Sequence, residues 1–401
     1  MAGTLNITDS IESSGFPLGF KVAQGSTRTP LLGDMSASDM LKVEVRAMGG
    51  HQKECVVTDG MSGSAWRLVC DEGAGLNGTD LAPFPLAFIN AGLQADIAGR
   101  IMRLAAAREV AIESIRTELV NRYAFEGSFF RGTGRGSAFA PAITVHLDSS
   151  AAASRVRALV DTALNSSPLV AAVRTELQNT FALHVNGKRR APLQVRPSAA
   201  PDAPDPLKVW NGVPRPLATA TGISNILEKI APPPASGGRT RPPMRPDEDV
   251  RFSIEICGES RWNEGVTESR VWAGTPPGSR FALRSDERLA IDTEAAPSGL
   301  ALAASGVAFC LMTQLLRYSE FRKYKIRAIR MVQYWPMQIA PGDAPVGVSG
   351  NLDTHVFLHG EESDENMGHL LLSSANTCYL HALLGASLEP PLIVRINGQT
   401  I

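Results

Sequence analysis

Two of the five cysteines, Cys310 and Cys378, stand where a thiol can do chemistry. The reactive form is the thiolate, which a helix N-terminus or a neighbouring cation favours and apolar burial opposes. Cys378 follows Asn376 and Thr377, read as N-cap residues, so the dipole of the helix they open favours its thiolate. His381 comes three residues later and shares a helical face with Cys378; a thiol beside an imidazole is the elementary unit of nucleophilic catalysis. Cys310 lies in the middle of an apolar helix and needs a cation beside it to react. A plainer reading stays open, because free cysteine is among the most buried side chains and His381 can be an ordinary hydrogen-bonded helix histidine. Cys55, Cys70 and Cys257 fall in strand patterns and read as core.

The chain repeats itself around these positions. GSAWRLVCDE at 63–72 returns as GSRFALRSDE at 278–287, so Trp66 and Phe281 match at an offset of 215. The same comparison sets Asp96 opposite Cys310 at 214, Ser167 opposite Cys378 at 211, and Asn186 opposite Asn397 at 211. A period of about 210 residues is too long for a solenoid repeat and fits two whole domains. The second copy keeps both thiols; the first has Asp96 and Ser167 in their place. Asp96 has Arg100 four residues on, the spacing of a helical ion pair, and Ser167 before Pro168 reads as a helix N-cap.

The elements that must position these groups follow one order in both copies. Strand-like stretches (43–70; 250–284) precede a long apolar helix (85–106; 299–318), then two strands, a broken helix and a last strand. That is an α+β plan with helices packed on one face of a sheet. The expected domains are 1–190 and 249–401, joined by a proline-rich linker at 191–248 that looks a poor candidate for a packed core. Within the linker, ISNILEKI at 223–230 has the spacing of a short docked helix, and the first 35 or so residues read as an arm over a domain. Leu300 to Leu316 carries no charge, close to the length of a membrane span, but a helix apolar all round is more simply a central buried helix.

Composition narrows the function classes. With 401 residues, 44% hydrophobic and 20% charged, each half can bury its own core. A net charge of −1 gives no reason to expect nucleic acid or an anionic membrane as partner. The N-terminus lacks the basic and apolar regions of a secretory signal, so a cytoplasmic location is expected. An odd number of cysteines without CxxC spacing argues against zinc or a disulfide framework. His355 and His359 share a strand face but stand about 13 Å apart, too far for one ion, so no metal and no cofactor are expected.

A Ser-Pro-x-x-Leu step opening a buried helix, a cysteine eleven residues after the proline position, and an Ala-x-x-Cys step 65 to 70 residues later resemble the OsmC/Ohr family of thiol-dependent hydroperoxide reductases. Ser298-Gly299, Cys310 and Ala375-Asn376-Thr377-Cys378 carry the pattern in the second copy; Pro85, Asp96 and Ser167-Pro168 stand at those positions in the first. The resemblance implies OsmC-like domains forming an intramolecular pseudo-dimer, antiparallel sheets packed around long central helices, with the live site in the C-terminal half. It implies that Cys310 attacks a peroxide oxygen and that Cys378 resolves the sulfenic acid to a disulfide, which an external dithiol reduces. A glutamate that follows the motif proline in the family is here Leu86 or Leu300, with Glu294 the nearest acidic substitute in the second copy. The arginine it would pair with falls among Arg261, Arg270, Arg280 and Arg284. Two other functions remain: a hydrolase or lyase using Cys310, or Cys378 with His381, as nucleophile, and a non-catalytic module binding a small apolar molecule. A homo-oligomer is compatible with each.

Overall fold

The computed structural model describes residues 9–22, 40–128, 131–212, 214–217, 225–233, 250–288 and 294–401. In chain order these carry α1 (Ile11–Ser14), β1 (Gly19–Lys21), β2 (Met40–Ala47), β3 (Lys53–Asp59), β4 (Ala65–Cys70), α2 (Pro85–Ala107), β5 (Ser114–Gly127), β6 (Arg135–Ala138) and β7 (Ala142–Asp148). Then come α3 (Ala153–Asn165), α4 (Pro168–Arg174), β8 (Asn179–Val185), β9 (Lys188–Arg190), α5 (Leu207–Asn211), β10 (Leu227–Ala231), β11 (Val250–Asn263), β12 (Val266–Thr275) and β13 (Arg280–Asp286). The last third holds α6 (Gly299–Arg322), β14 (Ile326–Ala340), β15 (Val346–Ser349), β16 (Leu352–Gly360), α7 (Asp364–Thr377), α8 (Tyr379–Leu384), β17 (Leu392–Ile396) and β18 (Gln399–Thr400).

Two nine-stranded sheets form, and each takes strands from both halves of the sequence. The first runs β1-β4-β3-β2-β14-β16-β8-β9, with β15 on β14; the second runs β10-β13-β12-β11-β5-β7-β17-β18, with β6 on β5. Both are mixed rather than antiparallel as expected, because β8 lies parallel to β16 and β17 parallel to β7. The physical reason is that each of these strands arrives after a helix pair, not a hairpin, and so is free to enter in either direction.

Helices α2 and α6 lie between the sheets, α2 against β11 and β12, α6 against β2 and β3, and each against the other. The layers are therefore sheet, helix, helix, sheet. A helix in that position has little face left for water, which explains why α6 is apolar all round for most of its length and why most residues of both helices are buried, the polar ones of α2 included. α6 is long and apolar enough to cross a membrane, and its most apolar 18-residue stretch is wholly buried inside the protein. The helices touch through their backbones: a Cβ at Gly92 would lie 2.5 Å from the Gly299 carbonyl oxygen, and one at Gly306 would lie 2.8 Å from Phe88 Cβ. Gly92→Ala gains about 1 kcal/mol in helix propensity but forces the helices apart, at a cost of about 1–3 kcal/mol or more. A lower urea midpoint is the expected result, and a higher one would mean the crossing is loose.

The two sheets differ on their outer faces. β2, β3 and β4 are buried at almost every position, whereas β5, β7 and β12 alternate between buried and open. The segment expected to be an unpacked linker is responsible. Between residues 195 and 212 it crosses the outside of the first sheet, burying Ala203 against Met40, Val332, Tyr334 and Phe357, and Trp210 against Phe20, Val22 and Val56. Proline suits such a strap because its neighbours bond to the sheet by single contacts, as where Ser198 N donates to the Phe181 carbonyl. The short helix expected at 223–230 is replaced by strand β10, bonded to β13, its Ile226 and Leu227 entering the core; residues 223–224 lie outside the described residues. The N-terminal arm is described only at 9–22, where α1 and β1 cover the edge of β4.

Candidate functional site

Cys310 is buried midway along α6.

 The chain breaks between α7 and α8 at Cys378, which ends one helix and is the N-cap of the next. This corrects the expected caps: Asn376 and Thr377 belong to α7, and Thr377 Oγ1 donates back to the Ser373 carbonyl. The break sets the Cys378 thiol near that of Cys310, close enough for the two to interact. All five cysteines are free thiols.

His381 lies one turn on in α8, with Nδ1 3.1 Å from Cys378 Sγ and its ring stacked on Phe181 of β8. It is buried, and burial pushes its pKa down to about 4, so the imidazole is neutral at ordinary pH. Its Nε2 is buried without a hydrogen-bond partner among the described residues. Burial, then the contact with Cys310, push the Cys378 thiol well above its ordinary value; the amides of His381 and Leu380 pull the other way and do not win. Cys378 is therefore a protonated thiol beside a neutral base.

Residues that the sequence reading missed complete the site. Arg317 lies two turns after Cys310 on α6; burial pulls its pKa down, while Tyr379, Glu72 and Cys310 act on it in the opposite sense. It is a buried cation that interacts with Cys310, and its Nη1 donates to Gln314 Oε1 at 3.3 Å. Glu72, at the end of β4, accepts from Lys53 Nζ at 2.8 Å and Thr313 Oγ1 at 2.5 Å, so the first sheet supplies a carboxylate to the Cys310 helix. Tyr123 comes from β5 of the second sheet: it is fully buried, its ring is 5.6 Å from that of Tyr379, and its hydroxyl has no hydrogen-bond partner among the described residues. Burial, reinforced by Cys310 and Cys378, pushes that hydroxyl well above its ordinary pKa.

A signal for Arg317 was present in the sequence. Cys310, Gln314 and Arg317 repeat the spacing of Asp96, Arg100 and Arg103, one helix face in each copy. The arginines named from the early strands are engaged elsewhere: Arg270 and Arg284 pair with Glu268, Arg280 lies over the Trp272 ring, and Arg261 lines a surface cavity. Glu294 pairs with Lys21 at 2.7 Å. His355 and His359 bond to Asp353 and Asp205 respectively.

Asp96 and Ser167 also meet. Ser167 Oγ donates to Asp96 Oδ2 at 2.5 Å and, as the N-cap of α4, accepts from Val170 N at 3.0 Å. Arg100 Nη2 pairs with Asp96 Oδ1 at 2.7 Å. Glu287 stands beside them, accepting from Gly299 N at 2.6 Å, and burial pushes its pKa up to about 7. Where one site holds two thiols, the other holds a buried network of charges and one hydroxyl.

No family model matches the sequence, and no curated protein matches it. Among solved structures, an OsmC-like hydroperoxide resistance protein from Jannaschia sp. CCS1 is similar over 37% of this chain and 96% of its own, with 20% identity and a TM-score of 0.26.

Proposed function

We propose that the chain is a tandem OsmC-like protein, two copies of one unit making a pseudo-dimer within a single polypeptide, and that it reduces organic hydroperoxides. The four sequence anchors and the matching order of strands in the two sheets support the tandem reading. The observation that carries the activity is that the Cys310 and Cys378 thiols are neighbours in one buried site that Arg317 also reaches.

In this reading Arg317 stabilises the Cys310 thiolate, which attacks the distal peroxide oxygen. The O–O bond breaks, the alcohol leaves after taking up a proton, and Cys310 becomes a sulfenic acid. Cys378 then attacks the Cys310 sulfur, its proton leaving with the displaced hydroxide, so that water and a disulfide form. An external dithiol restores both thiols by exchange. Tyr123 supplies a buried hydroxyl for the substrate oxygen. Tyr123→Phe should then lower kcat/KM roughly tenfold, the worth of one hydrogen bond, and leave stability nearly unchanged because the hydroxyl has no protein partner to lose. An unchanged kcat/KM would remove Tyr123 from the mechanism.

The 3.1 Å contact between His381 and Cys378 favours a second reading, a hydrolase with Cys378 as nucleophile. Burial works against it, since it opposes both the thiolate and the imidazolium that such a pair needs. Intact-mass spectrometry after one equivalent of cumene hydroperoxide separates the two. A disulfide in the wild type, with a Cys310 sulfenic acid that over-oxidises in Cys378→Ser, is the expected result. Unmodified thiols together with turnover of an ester panel would assign the hydrolase.

A further inference from the structure

The outer face of the second sheet carries a row of basic side chains in register. Arg261 of β11 lies opposite Arg116 of β5, Arg116 opposite His146 of β7, and His146 opposite Arg395 of β17. Cross-strand partners project from the same face, and like charges placed there repel. Glu118 offsets the middle of the row, pairing with Arg116 at 2.9 Å and His146 at 3.2 Å, while Glu268 of β12, opposite Arg261, is taken up by Arg270 and Arg284. Arg261 and Arg395 make no ion pair among the described residues. All four side chains line one cavity of about 480 Å³, with Trp262 and Asp148 also at its wall.

The first sheet has a row at the same place in its strand order, and there the occupant is visible. Arg46 of β2 lies opposite Arg330 of β14, Arg330 opposite Phe357 of β16, and Phe357 opposite His184 of β8. The strap lies on this row. Asp205 accepts from Arg330 Nε at 2.6 Å and Nη2 at 2.8 Å, Asp202 lies 3.9 Å from His184 Nε2 and pairs with Arg189 of β9 at 2.6 Å, and the Arg46 guanidinium is 5.2 Å from the Trp210 ring. The row therefore takes an extended segment whose carboxylates and aromatic ring match its cations. The second sheet presents more positive charge in that row and has no such cover among the described residues.

We infer that the outer face of the second sheet, along Arg261, Arg116, His146 and Arg395, docks an extended acidic segment of a partner protein. Two carboxylates spaced as Asp202 and Asp205 are on the strap would meet Arg395 and Arg116, and an aromatic side chain would meet Arg261. The inference is independent of the activity proposed for the thiols.

The test uses the full chain and a fluorescent peptide of residues 200–212, whose strap sequence stands in for the partner. Fluorescence anisotropy at low salt should give saturable binding that weakens as salt rises. Arg261→Glu with Arg395→Glu should weaken it at least about tenfold, with an unchanged melting temperature because both side chains are exposed. A peptide with Asp202→Asn and Asp205→Asn should lose as much. Binding unaffected by the two reversals, or no peptide binding, overturns the inference. So does saturable binding of inorganic pyrophosphate without the peptide, which would make the row a small-anion site.

Discussion

Cys310→Ser is expected to lower organic hydroperoxide turnover at least about a thousandfold, because a hydroxyl in place of the thiolate cannot form the sulfenic acid. Arg317→Ala should approach that loss, since it removes the cation that Cys310 is given in an otherwise apolar helix. Arg317→Lys should recover part of it, and its pH profile should move, which a merely structural arginine would not produce. Ser167→Ala is the control: that hydroxyl bonds Asp96 and caps α4, so its loss costs about 1 kcal/mol of stability and leaves turnover standing. Steady-state assays with cumene hydroperoxide and dithiothreitol measure all four variants. Turnover by Cys310→Ser comparable to the wild type would mean that the reacting thiol lies elsewhere.

The second large effect is on stability against pH. Glu287, raised by burial from 4.5 to about 7, stays protonated in the fold at pH values where the unfolded chain has ionised it. Its contribution is complete below about 4.5 and is lost as pH rises through about 7. At about 1.4 kcal/mol per pH unit the window comes to about 3 kcal/mol. His381, lowered from 6.5 to about 4, has the opposite sign: its neutral form is favoured by the fold, and stability falls as pH drops from 6.5 towards 4. In the wild type the two slopes oppose each other between pH 4.5 and 6.5. Glu287→Gln should therefore expose a protein that weakens in acid and is stronger than the wild type at pH 8, by up to about 3 kcal/mol. His381→Gln should expose one that strengthens from pH 7 down to 4.5. Urea midpoints followed by circular dichroism across pH 4 to 8 test both; a Glu287→Gln curve that tracks the wild type would show that the carboxyl is already ionised in the fold.

Local pattern alone determined much of the architecture. Alternation in β5 and β7, continuous apolar runs in α2 and α6, and the offsets that set Asp96 against Cys310 and Ser167 against Cys378 are all properties of nearby residues or of the chain compared with itself. The same holds for Cys378 and His381, which share a face because they are three residues apart on a helix. Tertiary structure decided the rest. That β14 lies beside β2, and β5 beside β11, depends on backbone hydrogen bonds between strands far apart in sequence, which leave no periodicity to read. The strap at 195–212 looked unpackable because proline removes donors, yet a few carboxylates and one tryptophan suffice where the sheet beneath offers arginines. Protonation was not legible either: it follows from how much water the surrounding layers exclude, so only the packed site makes His381 neutral and Cys378 a thiol, and only the packed site brings Cys310 to it.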